Sequence, residues 1–190
     1  MNRDAITIVS GLPRSGTSMM MRMLDAGGMP ILTDHVRTAD EDNPKGYYEF
    51  ERVKQIEHDK EWLDDAQGKV VKMIAALLKH LPPTYRYKVI FMRRDIQEVL
   101  ASQRQMLIRR GEATDTINDE EMARLFRRHV ARTEGWIEDQ DHIEVIYVDY
   151  GQVLKDPHTQ AEAIEGFLGR ELAVEKMARV VDPTLYRQRG

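Results

Sequence analysis

Six consecutive residues near the start of the chain combine small, hydroxyl-bearing and cationic side chains: Pro13-Arg14-Ser15-Gly16-Thr17-Ser18. They follow a short apolar run and open a segment with helical spacing. The first N–H groups of a helix have no partner within the helix and lie at the positive end of its dipole, so they bind anions. Gly11 and Gly16 allow the backbone to turn tightly and approach a ligand. The 11–18 loop is therefore predicted to hold a phosphate or sulfate group.

At one position this loop departs from the common nucleotide-binding pattern G-x-x-x-x-G-K-[ST]. The lysine of that pattern reaches the terminal phosphates, whereas Thr17 occupies its position here and the positive charge lies earlier, at Arg14. The difference favours a nucleotide with a phosphate or sulfate diester over ATP bound in the usual way. A kinase that uses ATP or GTP stays open as an alternative, because residues 145–149 are typical of a strand end that holds magnesium.

A second group of polar residues follows a later strand. Residues 87–92 form an apolar run that leads directly into Arg93 and Arg94, and Ser102 lies about two helical turns beyond Arg94. Right-handed crossovers bring the carboxyl ends of parallel strands to one edge of a sheet, where ligands bind. We therefore expect Arg94 to share that edge with the 11–18 loop, although the two are about 80 positions apart in the sequence.

The elements that must position these residues alternate between strand and helix. Strands are predicted at residues 1–10, 69–73, 87–92 and 143–148, and helices at 18–26, 50–63, 74–81, 96–107, 118–138, 156–168 and 171–181. The alternation predicts an α/β, P-loop-like three-layer fold, with a central parallel sheet of four to five strands and helices on both faces. Residues 1–190 are expected to form a single domain, and residues 29–48 a long functional or solvated loop.

The composition is that of a globular protein, with 42% hydrophobic and 32% charged residues. A net charge of −4 gives no basic footprint for nucleic acid. We also find no signal-peptide pattern and no apolar run long enough for a membrane span. The chain has no cysteine, which excludes thiol catalysis and suits a reducing compartment. We therefore expect a cytoplasmic protein with no nucleic-acid or membrane partner.

Taken together, the two junctions resemble the sulfotransferases that use 3′-phosphoadenosine 5′-phosphosulfate (PAPS). In that family the first loop reads P-[KR]-S-G-T-[ST], which residues 13–18 match, and an arginine at a strand end precedes a serine by eight residues, as Arg94 precedes Ser102. The resemblance covers most of the chain and is strongest at residues 5–26 and 87–107. It implies transfer of a sulfuryl group from PAPS to a hydroxyl or amine acceptor.

The resemblance also implies roles for individual residues. Those that would bind the co-substrate are Arg14, Ser15, Gly16, Thr17, Ser18, Arg94 and Ser102. The 11–18 loop would hold the 5′-phosphosulfate, with Arg14 neutralising charge on the bridging oxygen, while Arg94 and Ser102 would select the 3′-phosphate. Because a sulfuryl group carries less charge than a phosphoryl group, no metal ion is required.

The acceptor side departs from the family patterns. Cytosolic members have a K-T-H-x-P segment with a catalytic histidine, and here Lys72-Met73-Ile74 keeps the lysine and lacks the histidine. The E-x-R segment of tyrosylprotein sulfotransferases aligns with residues 35–37. We predict a carboxylate base from Asp34 or Glu49, with His35 as competitor, and count Arg14 and Lys72 with the catalytic residues.

Several alternatives stay open at this point. Because the histidine is missing, a nucleotide-binding module without turnover remains an alternative to an enzyme. The acceptor is a small molecule or carbohydrate that the sequence does not identify, and the oligomeric state, including a homodimer, is undetermined. Arg187 and Arg189 either contact the nucleotide or belong to a solvated tail.

Overall fold

The computed structural model describes residues 5–34, 48–112 and 118–182. Within these ranges the sheet has four strands, all parallel: β1 (Ile6–Gly11), β2 (Val70–Lys72), β3 (Tyr87–Arg93) and β4 (Ile143–Asp149). Their order across the sheet is β2-β1-β3-β4. Outside these strands, Ile31 forms an isolated parallel bridge with Val70. The predicted central parallel sheet is confirmed.

Seven α-helices lie in the described ranges: α1 (Thr17–Ala26), α2 (Trp62–Ala66), α3 (Ile96–Arg109), α4 (Asp119–Glu138), α5 (Tyr150–Lys155), α6 (Pro157–Leu168) and α7 (Val174–Arg179). Two 3₁₀ helices, Glu51–Gln55 and Ala75–His80, accompany them. No helix in this part of the chain combines the length and the apolar character that a bilayer crossing requires.

The hydrophobic core forms on both faces of the sheet, because successive side chains of a strand point to opposite faces. In β3, Val89 and Phe91 pack with the 3₁₀ helices, α2 and the end of α4. Their neighbours Ile90 and Met92 pack on the other face with α1, α5, α6 and α7. Helices therefore cover both faces, which confirms the predicted three-layer arrangement.

The connections that leave the strands diverge at the carboxyl ends of β1 and β3. From β1 the chain passes to β2 on one side, and from β2 it returns to β3 on the other side of β1. In open α/β sheets, ligands bind where the connections diverge in this way. Gly11 at the end of β1 lies opposite Met92 near the end of β3, so the 11–18 loop and Arg94 both start from this point.

The structure differs from the sequence-based prediction in some helical segments. Residues 50–63 are a 3₁₀ helix, a turn and the start of α2 instead of one helix. The side chain of Arg52 donates to Asp59 across the turn, while Val53, Ile56 and Leu63 are still buried. Two short pieces thus bury the same apolar residues that a single helix would bury.

Other boundaries differ as well. The helix predicted at residues 74–81 is 3₁₀, and α7 is shorter than the predicted 171–181. The helix α5 was not predicted; it begins where the Asp149 carboxylate accepts a hydrogen bond from Gln152 N at 3.0 Å. Residues 1–4 of the first predicted strand lie outside the described residues, and β1 extends to Gly11.

Candidate functional site

The 11–18 loop closes on itself immediately after β1. The backbone N–H of Ser15 and its hydroxyl both donate to the Leu12 carbonyl, at 3.2 and 2.7 Å. Arg14 has a left-handed backbone with φ of 70°. The helix α1 then begins at Thr17, and the preceding residue, Gly16, has no side chain that can cap it. The N–H groups of the first turn are therefore available to an anion.

Glycine is required at both Gly11 and Gly16, because the backbone has positive φ there and a Cβ would collide with neighbouring atoms. Gly11 and Gly16 have φ of 146° and 99°, where other residues are strained. A Cβ at Gly11 would lie 2.7 Å from the Met92 carbonyl oxygen, and a Cβ at Gly16 would lie 2.5 Å from a ring carbon of Tyr150. The loop is thus packed tightly against the end of β3 and the first residue of α5.

Hydrogen bonds connect the loop to the residues that follow β3. Arg94 Nη1 donates to the Arg14 carbonyl at 3.0 Å. Arg14 Nε in turn donates to the Ser102 hydroxyl on α3, also at 3.0 Å. The two sequence segments that carry the candidate residues therefore meet at one edge of the sheet, as expected from their positions at strand ends.

Arg94 is held on several sides. Its side chain is 8% exposed, and Nε donates to Glu98 Oε2 at 2.9 Å. Its guanidinium lies 4.3 Å from the centre of the Tyr150 ring. Burial raises the pKa of the Tyr150 hydroxyl, although the nearby Arg94 charge lowers it. These contacts fix the guanidinium plane beside the loop.

On the other side of the loop, Lys72 links α1 to Glu49. The amino group of Lys72 donates to the Ser18 hydroxyl at 3.1 Å and lies 3.8 Å from Glu49 Oε1. The side chains of Lys72 and Glu49 are 13% and 23% exposed. A cation and a carboxylate are thus placed together at the end of β2, next to the first turn of α1.

Asp34 is placed differently from Glu49. Its carboxylate accepts a hydrogen bond from the Glu51 N–H at 2.6 Å, at the start of the 3₁₀ helix Glu51–Gln55. Its backbone N–H donates to the Glu49 carbonyl at 3.3 Å. Of the two predicted carboxylates, Glu49 is the one that faces Lys72, and Asp34 supports the backbone that carries it.

The remaining predicted residues are placed in part. Thr17 and Ser18 are the first two residues of α1. The competing base His35 and the tail residues Arg187 and Arg189 lie outside the described residues. The catalytic and nucleotide-binding roles of the candidate residues stay predictions.

Two residues of the site are not predicted from the sequence: Glu98 and Tyr150. Arg94 and Glu98 have opposite charges and are four residues apart at the start of α3, which is the signal from which their ion pair could have been found. Nothing in the sequence indicates that Tyr150 packs against Gly16, because that contact joins the end of β4 to the 11–18 loop through the fold.

The arrangement concentrates positive charge around the start of α1. Arg14, Lys72 and Arg94 all lie at this edge, and the helix N-terminus adds partial positive charge. Among the described residues, no group of three or more histidine, aspartate or glutamate side chains is arranged to hold a metal ion. Chemically, such a site can bind a multiply charged anion next to a carboxylate.

Comparison with known proteins agrees with this geometry. A family model described as a sulfotransferase domain matches residues 4–188. The sequence-based assignment to the sulfotransferases is thereby confirmed at the level of the family. A search of curated protein sequences gives no significant match.

Solved sulfotransferases share the fold at low sequence identity. Sulfotransferase STF1 from Mycobacterium tuberculosis aligns with a TM-score of 0.56 and 14% identity, over 98% of this chain and 74% of that one. A sulfotransferase from Alicyclobacillus acidocaldarius aligns at 0.51 and 16%, over 87% and 81%. Mouse sulfotransferase SULT7A1, solved as a complex with PAP, aligns at 0.50 and 15%, over 95% of this chain. The present chain spans 63% of the mouse chain.

Proposed function

Because this chain belongs to the sulfotransferase domain family, we propose that it transfers a sulfuryl group from PAPS to a hydroxyl or amine acceptor. The observation that carries the proposal is the pair of hydrogen bonds that joins Arg94 to the 11–18 loop and Arg14 to Ser102. They bring together the groups that would bind the two ends of a doubly phosphorylated adenosine.

On the nucleotide side, the residues present fit a phosphosulfate. The first turn of α1 presents N–H groups with no side-chain cap at Gly16, and the Thr17 and Ser18 hydroxyls are the first side chains of that turn. Arg94 and Ser102 would bind the 3′-phosphate. Arg14 would stabilise the negative charge that develops on the leaving nucleotide, a use of fixed positive charge that is typical of group-transfer enzymes.

On the acceptor side, Glu49 would act as the base. It would take the proton of the acceptor hydroxyl or amine, whose oxygen or nitrogen then attacks sulfur in line with the departing nucleotide. Lys72, which contacts both Ser18 and the Glu49 carboxylate, would hold the sulfuryl oxygens between donor and acceptor. The acceptor itself we propose to be a small molecule or a carbohydrate.

The kinase alternative is not favoured, because the family model that matches the chain is that of a sulfotransferase domain. The strand end at residues 145–149, which a kinase would use to hold magnesium, ends in Asp149, whose carboxylate caps α5 through Gln152 N. Sulfuryl transfer as proposed needs no metal ion, since the transferred group carries less charge than a phosphoryl group. We further propose that the protein acts in the cytoplasm, on the ground that the chain has no cysteine.

Calorimetry and a turnover assay test the proposal. The chain is titrated with 3′-phosphoadenosine 5′-phosphate (PAP) in the presence of a metal chelator, and in parallel with ATP and magnesium. We expect PAP to bind with the chelator present and more tightly than ATP. Tighter binding of magnesium–ATP would favour the kinase instead.

Turnover is then measured with radiolabelled PAPS and a panel of phenols, alcohols, amines and oligosaccharides. We expect release of PAP together with label on one class of acceptor. Binding of PAP without label transfer to any member of a broad panel would leave the nucleotide-binding module as the better description. A homodimer stays a proposal that gel filtration with light scattering can test.

A further inference from the structure

Tyr48 has a backbone conformation that non-glycine residues rarely adopt. Its φ is 52°, and Arg14 of the 11–18 loop is the other non-glycine residue with positive φ in the described part of the chain. Such a conformation costs free energy and persists only where the surrounding structure imposes it. Strained residues of this kind are concentrated at functional sites, so the contacts that hold Tyr48 are informative.

The Tyr48 side chain is held by the helix α1. Its ring packs against the hydrophobic cluster on the face of the sheet that α1 covers, and its hydroxyl donates to Asp25 Oδ2 at 3.0 Å. Burial and the hydrogen bond to Asp25 raise the pKa of the Tyr48 hydroxyl. The hydroxyl therefore keeps its proton, and with it the hydrogen bond, throughout the physiological pH range.

The backbone that follows Tyr48 is held as well. The carbonyl of Glu49 accepts hydrogen bonds from the Thr33 hydroxyl at 2.8 Å and from Asp34 N at 3.3 Å. With the backbone fixed at this point, the left-handed conformation of Tyr48 sets the direction in which the Glu49 side chain leaves the chain. The Glu49 carboxylate ends 3.8 Å from the Lys72 amino group.

Tyr48 and Glu49 contact opposite ends of α1. Tyr48 reaches Asp25 in the last turn, while Glu49 meets Lys72, whose amino group binds Ser18 in the first turn. Ser18 and Asp25 are separated by about 10 Å along the helix axis. Tyr48 and Glu49 are therefore both positioned relative to α1, the helix whose N-terminus would hold the phosphosulfate.

We propose that Tyr48 is a positioning residue that places the Glu49 carboxylate opposite the 11–18 loop through its hydrogen bond with Asp25. The proposal rests on the proposed function, in which Glu49 is the base. A second tyrosine–aspartate pair among the described residues serves as control: Tyr85 donates to Asp64 Oδ1 at 2.7 Å and packs against the hydrophobic cluster on the face of the sheet opposite α1.

The test compares Tyr48→Ala, Tyr48→Phe and Tyr85→Phe in the PAPS assay. We expect kcat to fall about tenfold or more in Tyr48→Ala, because small displacements of a catalytic group carry large rate costs. Tyr48→Phe keeps the ring but removes the hydrogen bond to Asp25, so its kcat should fall by less than that of Tyr48→Ala. The Kd for PAP and the KM for PAPS should not change, and Tyr85→Phe should match the wild type. A loss of thermal stability and of PAP affinity together with kcat would indicate a merely structural role and overturn the proposal.

Glu49→Gln separates failure of this inference from failure of the proposed function. If Glu49→Gln abolishes turnover but Tyr48→Ala does not lower kcat, the positioning role is wrong and the function stands. If the wild type shows no transfer, the proposed function fails, and crystals of Tyr48→Ala still test the inference. We expect the Glu49 carboxylate to leave Lys72 in those crystals; retention of the 3.8 Å separation would contradict the proposal.

Discussion

At the scale of single residues, Arg94 contributes both to the candidate site and to the stability of the fold. It supports the 11–18 loop through the Arg14 carbonyl, and it neutralises Glu98, whose side chain is 14% exposed. Removal of the cation from a largely buried ion pair is costly. A substitution at Arg94 is therefore expected to affect both folding stability and ligand binding. A control substitution at a neighbouring residue is needed to separate the two effects.

Arg93 supplies that comparison. It is adjacent, 46% exposed and paired with Glu134 at 2.8 Å on the surface. We expect Arg94→Ala to lower the free energy of unfolding by about 3 kcal/mol and Arg93→Ala by less than about 1 kcal/mol. Urea unfolding measures both.

The same pair of variants tests the nucleotide site. Calorimetry should show at least a tenfold loss of PAP affinity in Arg94→Ala, since a charge-assisted contact contributes about 1.5–3 kcal/mol. Equal PAP affinities in Arg94→Ala and Arg93→Ala would contradict the assignment of Arg94 to the 3′-phosphate.

The two carboxylates on the acceptor side should respond differently to neutral substitution. Glu49→Gln removes the proposed base, and we expect kcat to fall by about a hundredfold or more. Asp34→Asn keeps a side-chain oxygen that can still accept the hydrogen bond from Glu51 N, so it should keep most of its turnover. Steady-state kinetics with PAPS decide between them. A larger loss in Asp34→Asn would transfer the role of base to Asp34.

At the scale of elements, aspartates at helix starts determine several boundaries. Asp95, Asp149 and Asp156 each accept hydrogen bonds from N–H groups of the helix that follows. Such caps satisfy donors that the helix itself leaves free, which is why they are favoured at this position. The cap at Asp95 also affects the candidate site, because the helix that it begins, α3, contains Ser102.

Asp156 offers a test of capping that lies outside the site. Its hydrogen bond from the Thr159 N–H holds the pKa of the carboxyl below its ordinary value of 3.8. A depressed folded-state pKa stabilises the protein above the unfolded pKa, and this stabilisation is lost as the pH falls through the folded pKa. We expect Asp156→Ala to lower Tm at pH 7, and the difference from the wild type to shrink below about pH 4.

Asp139→Ala is the matched control for that experiment. Asp139 lies at the C-terminal end of α4, where a negative charge opposes the helix dipole. Its removal should not lower Tm at pH 7. If Asp156→Ala and Asp139→Ala shift Tm equally, the stabilisation does not come from the cap.

At the scale of the whole molecule, the sheet carries separate hydrophobic clusters on its two faces while the site occupies one edge. The cluster on the α1 face includes Met20 and Met23, and the cluster on the other face includes Trp62 and Leu63. A ligand that joins the ends of β1 and β3 contacts residues connected to both clusters. Binding should therefore stabilise the fold as a whole.

Ligand-linked unfolding measures this effect. At a free concentration of 100 times its Kd, PAP should raise the free energy of unfolding by about 2.7 kcal/mol. A metal chelator should not change this increase. AMP, which lacks the 3′-phosphate, should stabilise less at the same concentration. Equal stabilisation by AMP and PAP would show that no group of the site reads the 3′-phosphate.

The sequence by itself determined the features that depend on local patterns. Gly11 and Gly16 mark the 11–18 loop, because their positive φ values require residues without a Cβ. Apolar runs identify the strands, and Asn118 and Asp156 identify helix starts. Since parallel strands end at one edge, the meeting of Arg94 with the loop also followed from the order of strands and helices.

Only the tertiary structure decided how distant side chains pair at that edge. The stacking of Arg94 on Tyr150, the contact of Tyr150 with Gly16, and the choice of Glu49 over Asp34 as the partner of Lys72 all depend on packing between elements. Local propensity carries no signal for such contacts, because burial against residues far along the chain fixes the side-chain directions.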